Sequence, residues 1–148
     1  MSEIFKGGCQ CGAIRFEVKG RPHETSICHC RMCQKAFGNF FAPLVSVRKV
    51  EFRWTTAEPK RFASSNLVKR GFCPDCGTPL TYEAPDGMAV AIATFDHPET
   101  LVPIIQYGIE ARLGYLDHLN EWPVRTTEAD FAENSFLAEI KSNQYPDE

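Results

Sequence analysis

The chain has 148 residues, 43% of them hydrophobic and 24% charged, enough to bury one ordinary core; no apolar run approaches the roughly eighteen residues that a membrane helix needs. Sixteen Lys and Arg against nineteen Asp and Glu give a formal net charge of -3, which leaves no basic stripe to neutralise phosphates and argues against nucleic acid as a partner. Met1 to Gly8 lacks the basic start and apolar stretch of a signal peptide, so a reducing, cytoplasmic location is expected.

Ala13 to Val18 alternates apolar and polar residues, the period-two pattern of a strand with one buried face. Further strands are predicted at Phe40 to Val47, Val50 to Trp54, around Arg61 and Phe62, Leu67 to Phe72, Leu80 to Glu83, Met88 to Phe95 and Pro103 to Ile109. Gly20-Arg21-Pro22, Glu58-Pro59, Pro85-Asp86-Gly87 and Asp96-His97-Pro98 punctuate them, and Pro85-Asp86-Gly87 between two apolar runs is the strongest hairpin signal. A helix is predicted only late, with Thr127 capping Glu128 to Lys141 and Ala129, Ala132, Phe136 and Ile140 on the face that packs on the sheets. The polar tail Ser142 to Glu148 is expected to fray. No repeat or linker interrupts the chain, so a single, mainly β domain is expected over 1–148, with a motif-bearing core of residues 5–126 and the helix and tail over 127–148.

Seven cysteines, an odd number in a reducing compartment, argue for metal ligation or thiol chemistry rather than a disulfide framework. They fall in three clusters: Cys9-x-Cys11, then Cys28-x-Cys30-x-x-Cys33 after sixteen residues, then Cys73-x-x-Cys76 after thirty-nine more. Phe72-Cys73-Pro74-Asp75-Cys76-Gly77 reads as a zinc knuckle, whose two thiolates converge on one metal while the glycine permits the turn. Cys9 and Cys11, spaced i and i+2, point to one face of an extended segment and complete a four-thiolate tetrahedron with the knuckle. Cys28 and Cys30 share a strand face, and Cys33 returns to them over a short turn. That leaves three ligands and an open position, the arrangement of a site that binds substrate or water.

Spacing alone also permits other partitions, such as Cys28 and Cys30 with the knuckle, a second structural zinc closed by a histidine or carboxylate, or iron in the four-thiolate site. His29, between two cysteines of one face, is expected to point away from the metal. Phe37, Phe40, Phe41 and Trp54 are expected in the core rather than in a pocket. Three thiolates around Zn2+ carry a charge of about -1, which disfavours water activation and suits a fourth, exogenous thiolate. The chemistry that follows is carbon-sulfur bond making or breaking. Arg31, Lys35, Lys69 and Arg70 flank the clusters; Arg31 and Arg70 are the candidates to neutralise thiolates or meet substrate carboxylates, and Lys35 and Lys69 read as ordinary surface.

The order Gly8-Cys9-Gln10-Cys11-Gly12, Cys28-His29-Cys30-Arg31-Met32-Cys33 and Arg70-Gly71-Phe72-Cys73-Pro74-Asp75-Cys76-Gly77 resembles the glutathione-dependent formaldehyde-activating enzyme (GFA) family, with the likeness running from Gly8 through Pro123. The resemblance implies a β-tent fold of small antiparallel β-sheets organised around zinc. It implies two Zn2+ per chain: a structural one on Cys9, Cys11, Cys73 and Cys76, and a catalytic one on Cys28, Cys30 and Cys33. It also implies condensation of formaldehyde with glutathione to S-hydroxymethylglutathione, classed in reverse as a carbon-sulfur lyase. The chain reads Gln106-Tyr107 where members often carry a His-Ile pair, and Tyr115 where they carry tryptophan. The competing reading is a noncatalytic zinc-binding interaction module of the same fold.

Overall fold

Strands carry most of the regular structure. A computed structural model describes residues 2–148, and in it β1 (Ile4–Gly8), β2 (Arg15–Lys19) and β5 (Glu51–Trp54) form an antiparallel three-stranded sheet in the order β1-β2-β5. The second sheet holds β3 (His23–Cys28), β4 (Ala42–Ser46), β6 (Lys60–Ala63), β7 (Lys69–Phe72), β8 (Pro79–Ala84), β9 (Gly87–Ala91) and β10 (Ile105–Tyr107), in the order β10-β3-β4-β9-β8-β7-β6. Its pairs are antiparallel except β10 with β3, which is parallel with Gln106 opposite Ile27. A parallel pair needs a long crossover, and the whole chain from β4 to β9 supplies it. The sheets are thus neither both small nor wholly antiparallel, as the expected architecture had them. At the predicted hairpin, Ala84 pairs with Gly87 across the two-residue turn Pro85-Asp86.

The alternation in β2 decides the packing. Phe16 and Val18 point inward, opposite Gly7 and Phe5 of β1, and meet Val45, Val90, Ile92, Phe95 and Leu101 in a core that joins the two sheets. Phe16 stacks on Phe52 and meets Phe95 edge-on at 5.0 Å. A second apolar cluster joins Ile14 and Leu80 to Cys9 and Cys73, with Trp54 packed against it. A third gathers Cys33, Ala42 and Leu44, with Phe37 against it. Phe40, expected in the core, is exposed.

The described residues divide into two compact units, one running to residue 112 and including 144–148, the other comprising 113–143. In the second unit Gly114–Glu121, Glu128–Asp130 and Ser135–Glu139 are 3-10 segments, and the helix predicted over Glu128 to Lys141 does not form. Asn134 leaves helical geometry (φ -133, ψ 74), and Phe136 and Ile140 are 61% and 60% exposed. An isolated helix of that length is marginal without burial of its apolar face. The tail does not fray as expected either: the Tyr145 N–H donates to the Gln10 carbonyl at 2.7 Å, and the Arg15 guanidinium lies over the Tyr145 ring. Among the described residues no helix is long and apolar enough to cross a membrane.

Candidate metal centres and the cavity

Cys9 and Cys11 lie just beyond β1, and Cys73 and Cys76 just beyond β7. The knuckle closes through Gly77 N–H to the Cys73 carbonyl (2.9 Å) and Cys73 N–H to the Thr78 carbonyl (3.0 Å). The four sulfurs lie within 4.8 Å of one another; Cys9 to Cys11 is 3.6 Å and Cys11 to Cys73 is 3.8 Å. None of the seven cysteines is in a disulfide. Sulfurs at about 2.3 Å from a tetrahedral zinc are about 3.8 Å apart, so this donor set fits such an ion.

The second cluster is local. Cys28 ends β3, Cys30 caps the helix α1 (Arg31–Phe37), and Cys33 sits in its first turn. The Cys30 sulfur accepts the Cys33 N–H at 3.4 Å, and Gly38 ends the helix in the left-handed conformation. The three sulfurs lie within 4.8 Å of one another, and no other Cys, His, Asp or Glu among the described residues joins them. Both clusters could hold a metal ion.

None of the four histidines belongs to this trio. His29 is buried, its Nε2 donates to Gln106 Oε1 at 2.8 Å, and neither of its ring nitrogens belongs to the sulfur group. His23 meets the Arg48 carbonyl, His97 the Glu148 carbonyl and His118 the Glu121 carboxylate. Gly108 follows β10 with φ +63, and a Cβ there would come within 2.8 Å of the Cys30 nitrogen. Only glycine accommodates both that conformation and that approach. The Gln106-Tyr107-Gly108 segment is therefore the support behind Cys28 to Cys30.

The thiols differ in proton affinity. Burial pushes Cys9 and Cys28 up to about 12. Burial also raises Cys76, but the Thr78 hydroxyl and backbone N–H groups outweigh it and bring Cys76 down to about 6. At Cys30 burial is again opposed, by the Cys33 N–H, and the net shift is downward. A divalent cation is the partner that lets such a mixed set deprotonate together.

The trio opens on a cavity of about 350 Å3, whose lining includes Ser46, Arg48, Arg70, Tyr82 and Tyr107. Arg70 is buried and its Nη2 donates to Cys33 Sγ at 3.4 Å. Arg31 is exposed, donates to Gln34 Oε1 at 2.7 Å, and is not among the cavity-lining residues. Lys35 and Lys69 are exposed. Arg48, Tyr82 and Tyr107 were not legible as site residues. Arg48 pairs with Glu24 and Asp86, and nothing in local spacing announces a contact that strand pairing creates.

The family profile described as "Glutathione-dependent formaldehyde-activating enzyme" matches residues 4–111. A curated relative from Schizosaccharomyces pombe, named an uncharacterized lyase, is 28% identical over 83 residues, 56% of this chain and 60% of the relative. The chain thus spans about 60% of that relative's length. A Rhodobacter sphaeroides protein of known crystal structure is 21% identical, with a TM-score of 0.47, over 68% of this chain and 98% of the other.

Proposed function

The chain belongs to the glutathione-dependent formaldehyde-activating enzyme family, and on that premise we propose that it is a zinc-dependent carbon-sulfur lyase-type enzyme of β-tent fold, which forms or cleaves the thiol adduct of a small aldehyde, with glutathione and formaldehyde as the substrate pair. The observation that carries this reading is the incomplete set Cys28, Cys30 and Cys33 opening onto a cavity. A closed tetrahedron has no use for such room; three ligands beside a cavity suit a centre that receives a fourth. In this reading Cys9, Cys11, Cys73 and Cys76 hold a structural zinc, and Cys28, Cys30 and Cys33 hold the second. Zinc bound at the trio would supply a soft positive centre that keeps an incoming thiol deprotonated at neutral pH. A reducing cytoplasm, where such thiols stay free, is the compartment that fits.

The protein's own residues shape the rest. In the net reaction the sulfur-carbon bond forms, the carbonyl π pair moves to oxygen, and the proton lost by the thiol ends on that oxygen. The reverse direction breaks the same sulfur-carbon bond. Tyr82, Tyr107 and Arg48 line the cavity and bring hydrogen-bond donors to the side on which the adduct hydroxyl and the remote groups of the thiol must lie. Gln106, through His29, and Gly108, against Cys30, hold the trio's backbone in place.

The test is exchange NMR of glutathione with formaldehyde, using protein verified to carry two zincs. Interconversion faster than the spontaneous background is expected. No acceleration over that background would remove formaldehyde chemistry, and a trio that takes up no metal would return the noncatalytic module.

A further inference from the structure

Arg70 is a buried cation without a carboxylate. The residue is 3% exposed; its Nε donates to Ser64 Oγ at 2.8 Å and its Nη2 to Cys33 Sγ at 3.4 Å. Its guanidinium carbon lies 5.1 Å from the centroid of the Tyr82 ring. Its Nη1 is buried and has no hydrogen-bond partner among the described residues, and no ion pair among the described residues includes it. Arg15, the other deeply buried arginine, is matched instead by both oxygens of Asp96. An unpaired buried charge is costly, so a group that carries negative charge when functional must face Arg70. The trio is that group.

Resting on the proposed metal assignment, the charge count then closes. Three thiolates around a divalent cation sum to -1, and Arg70 brings the assembly to zero. A fourth thiolate leaves it at -1 instead of -2. We infer that Arg70 is a positioning residue that supplies the counter-charge of the trio centre, making it receptive to an anionic sulfur ligand whatever the rest of that ligand carries. The planar fork already engages Cys33 through Nη2, and a second anionic sulfur of the same centre is the acceptor that suits Nη1. This differs from a role in binding the carboxylates of glutathione, which would act on one thiol and not on another.

Cobalt-loaded protein separates these roles, because an open cobalt-thiolate site changes its absorption when a thiol joins it and a closed one does not. Glutathione and 2-mercaptoethanol are titrated into wild type, Arg70→Met and Arg70→Lys, with cobalt content measured for each. Both thiols are expected to bind Arg70→Met at least about ten-fold more weakly, the scale of one charge-assisted hydrogen bond, while Arg70→Lys loses clearly less, because its charge remains although the planar fork does not. Loss of one cobalt from Arg70→Met, with both kept in Arg70→Lys, carries the same meaning. If Arg70→Met is insoluble, Arg70→Gln takes its place with the same expectation. Unchanged affinity without the charge overturns the inference; so does a loss confined to glutathione, or a loss in Arg70→Lys as large as in Arg70→Met. A wild-type protein that does not respond to either thiol sinks the proposed function instead, which distinguishes the two failures.

Discussion

Asp96 shows what a matched buried charge does here. Its carboxylate takes both Arg15 nitrogens, at 2.9 and 2.6 Å, with side-chain exposures of 3% for Asp96 and 9% for Arg15, and also accepts the Glu148 N–H. Burial raises its proton affinity, but the Arg15 hydrogen bonds and the Glu148 N–H outweigh it, so the carboxyl is held below its ordinary value. A carboxylate depressed in the folded state contributes stability that is complete above its unfolded value, about 3.9, and is lost as pH falls through the lower folded value. Asp96→Asn leaves Arg15 buried without its counter-charge and is expected to cost about 3–5 kcal/mol near neutrality. In denaturant titrations the gap between wild type and Asp96→Asn should close as the pH falls below about 4. A gap that stays constant down to pH 2 would falsify the assignment of that stability to the ionised pair.

At the scale of elements, α1 ties secondary structure to the trio, because the sulfur of Cys30 is both a candidate ligand and the cap of the helix. Cys30→Ser keeps an acceptor for the Cys33 N–H, whereas Cys30→Ala removes it. Both should lose the trio metal, but the serine variant should be the more stable by about 1 kcal/mol; equal melting of the two would mean that the cap contributes nothing. This helix was hidden in the sequence because a cysteine is an unusual cap, although Arg31 to Phe37 are adequate helix formers ending at Gly38. Where burial is one-sided, as in β2 and β5, the strands were legible from their alternation, and β4, buried on both faces, from its apolar run. The strand β1 was missed because the Gly7-Gly8 pair is a poor strand former; glycine stands at position 7 because a Cβ would meet the Phe16 ring at 2.4 Å. Most of β3 was missed because His23, Glu24, Thr25 and Ser26 lack an apolar face, and the strand face expected to carry both Cys28 and Cys30 stops at Cys28: Cys30 caps α1, and Cys33 returns in its first turn. Glu24, Ser26 and Cys28 line the cavity, so the requirements of the site replaced the hydrophobic pattern. The cysteine clusters were legible because metal ligation ties spacing directly to geometry, while Arg48 and Tyr82 reach the same cavity through non-local pairing.

Across the whole molecule the two clusters close very different lengths of chain. The first connects Cys11 to Cys73, sixty-two residues apart, and links the end of β1 in one sheet to the end of β7 in the other. The second spans only Cys28 to Cys33. If each bound metal acts as a cross-link, the chain-entropy estimate gives about 4 kcal/mol for the long loop and about 2 kcal/mol for the short one. The long-range site also lies in the apolar cluster with Ile14 and Leu80, so its loss leaves unpaired thiols within packed surface. A structural zinc binds with about 10–16 kcal/mol, comparable to the whole stability of an ordinary domain, about 5–15 kcal/mol. The core around Phe16, Val45 and Phe95 also joins the sheets, but its net contribution is no larger than that total. Cys76→Ser is therefore expected to give insoluble or protease-sensitive protein, while Cys33→Ser should fold cooperatively with one metal and no response to thiols. Limited proteolysis with metal analysis checks both. Cys76→Ser with wild-type protease resistance and two bound metals would remove the first cluster as the tie between the sheets, and a Cys33→Ser protein as unfolded as Cys76→Ser would make both clusters structural.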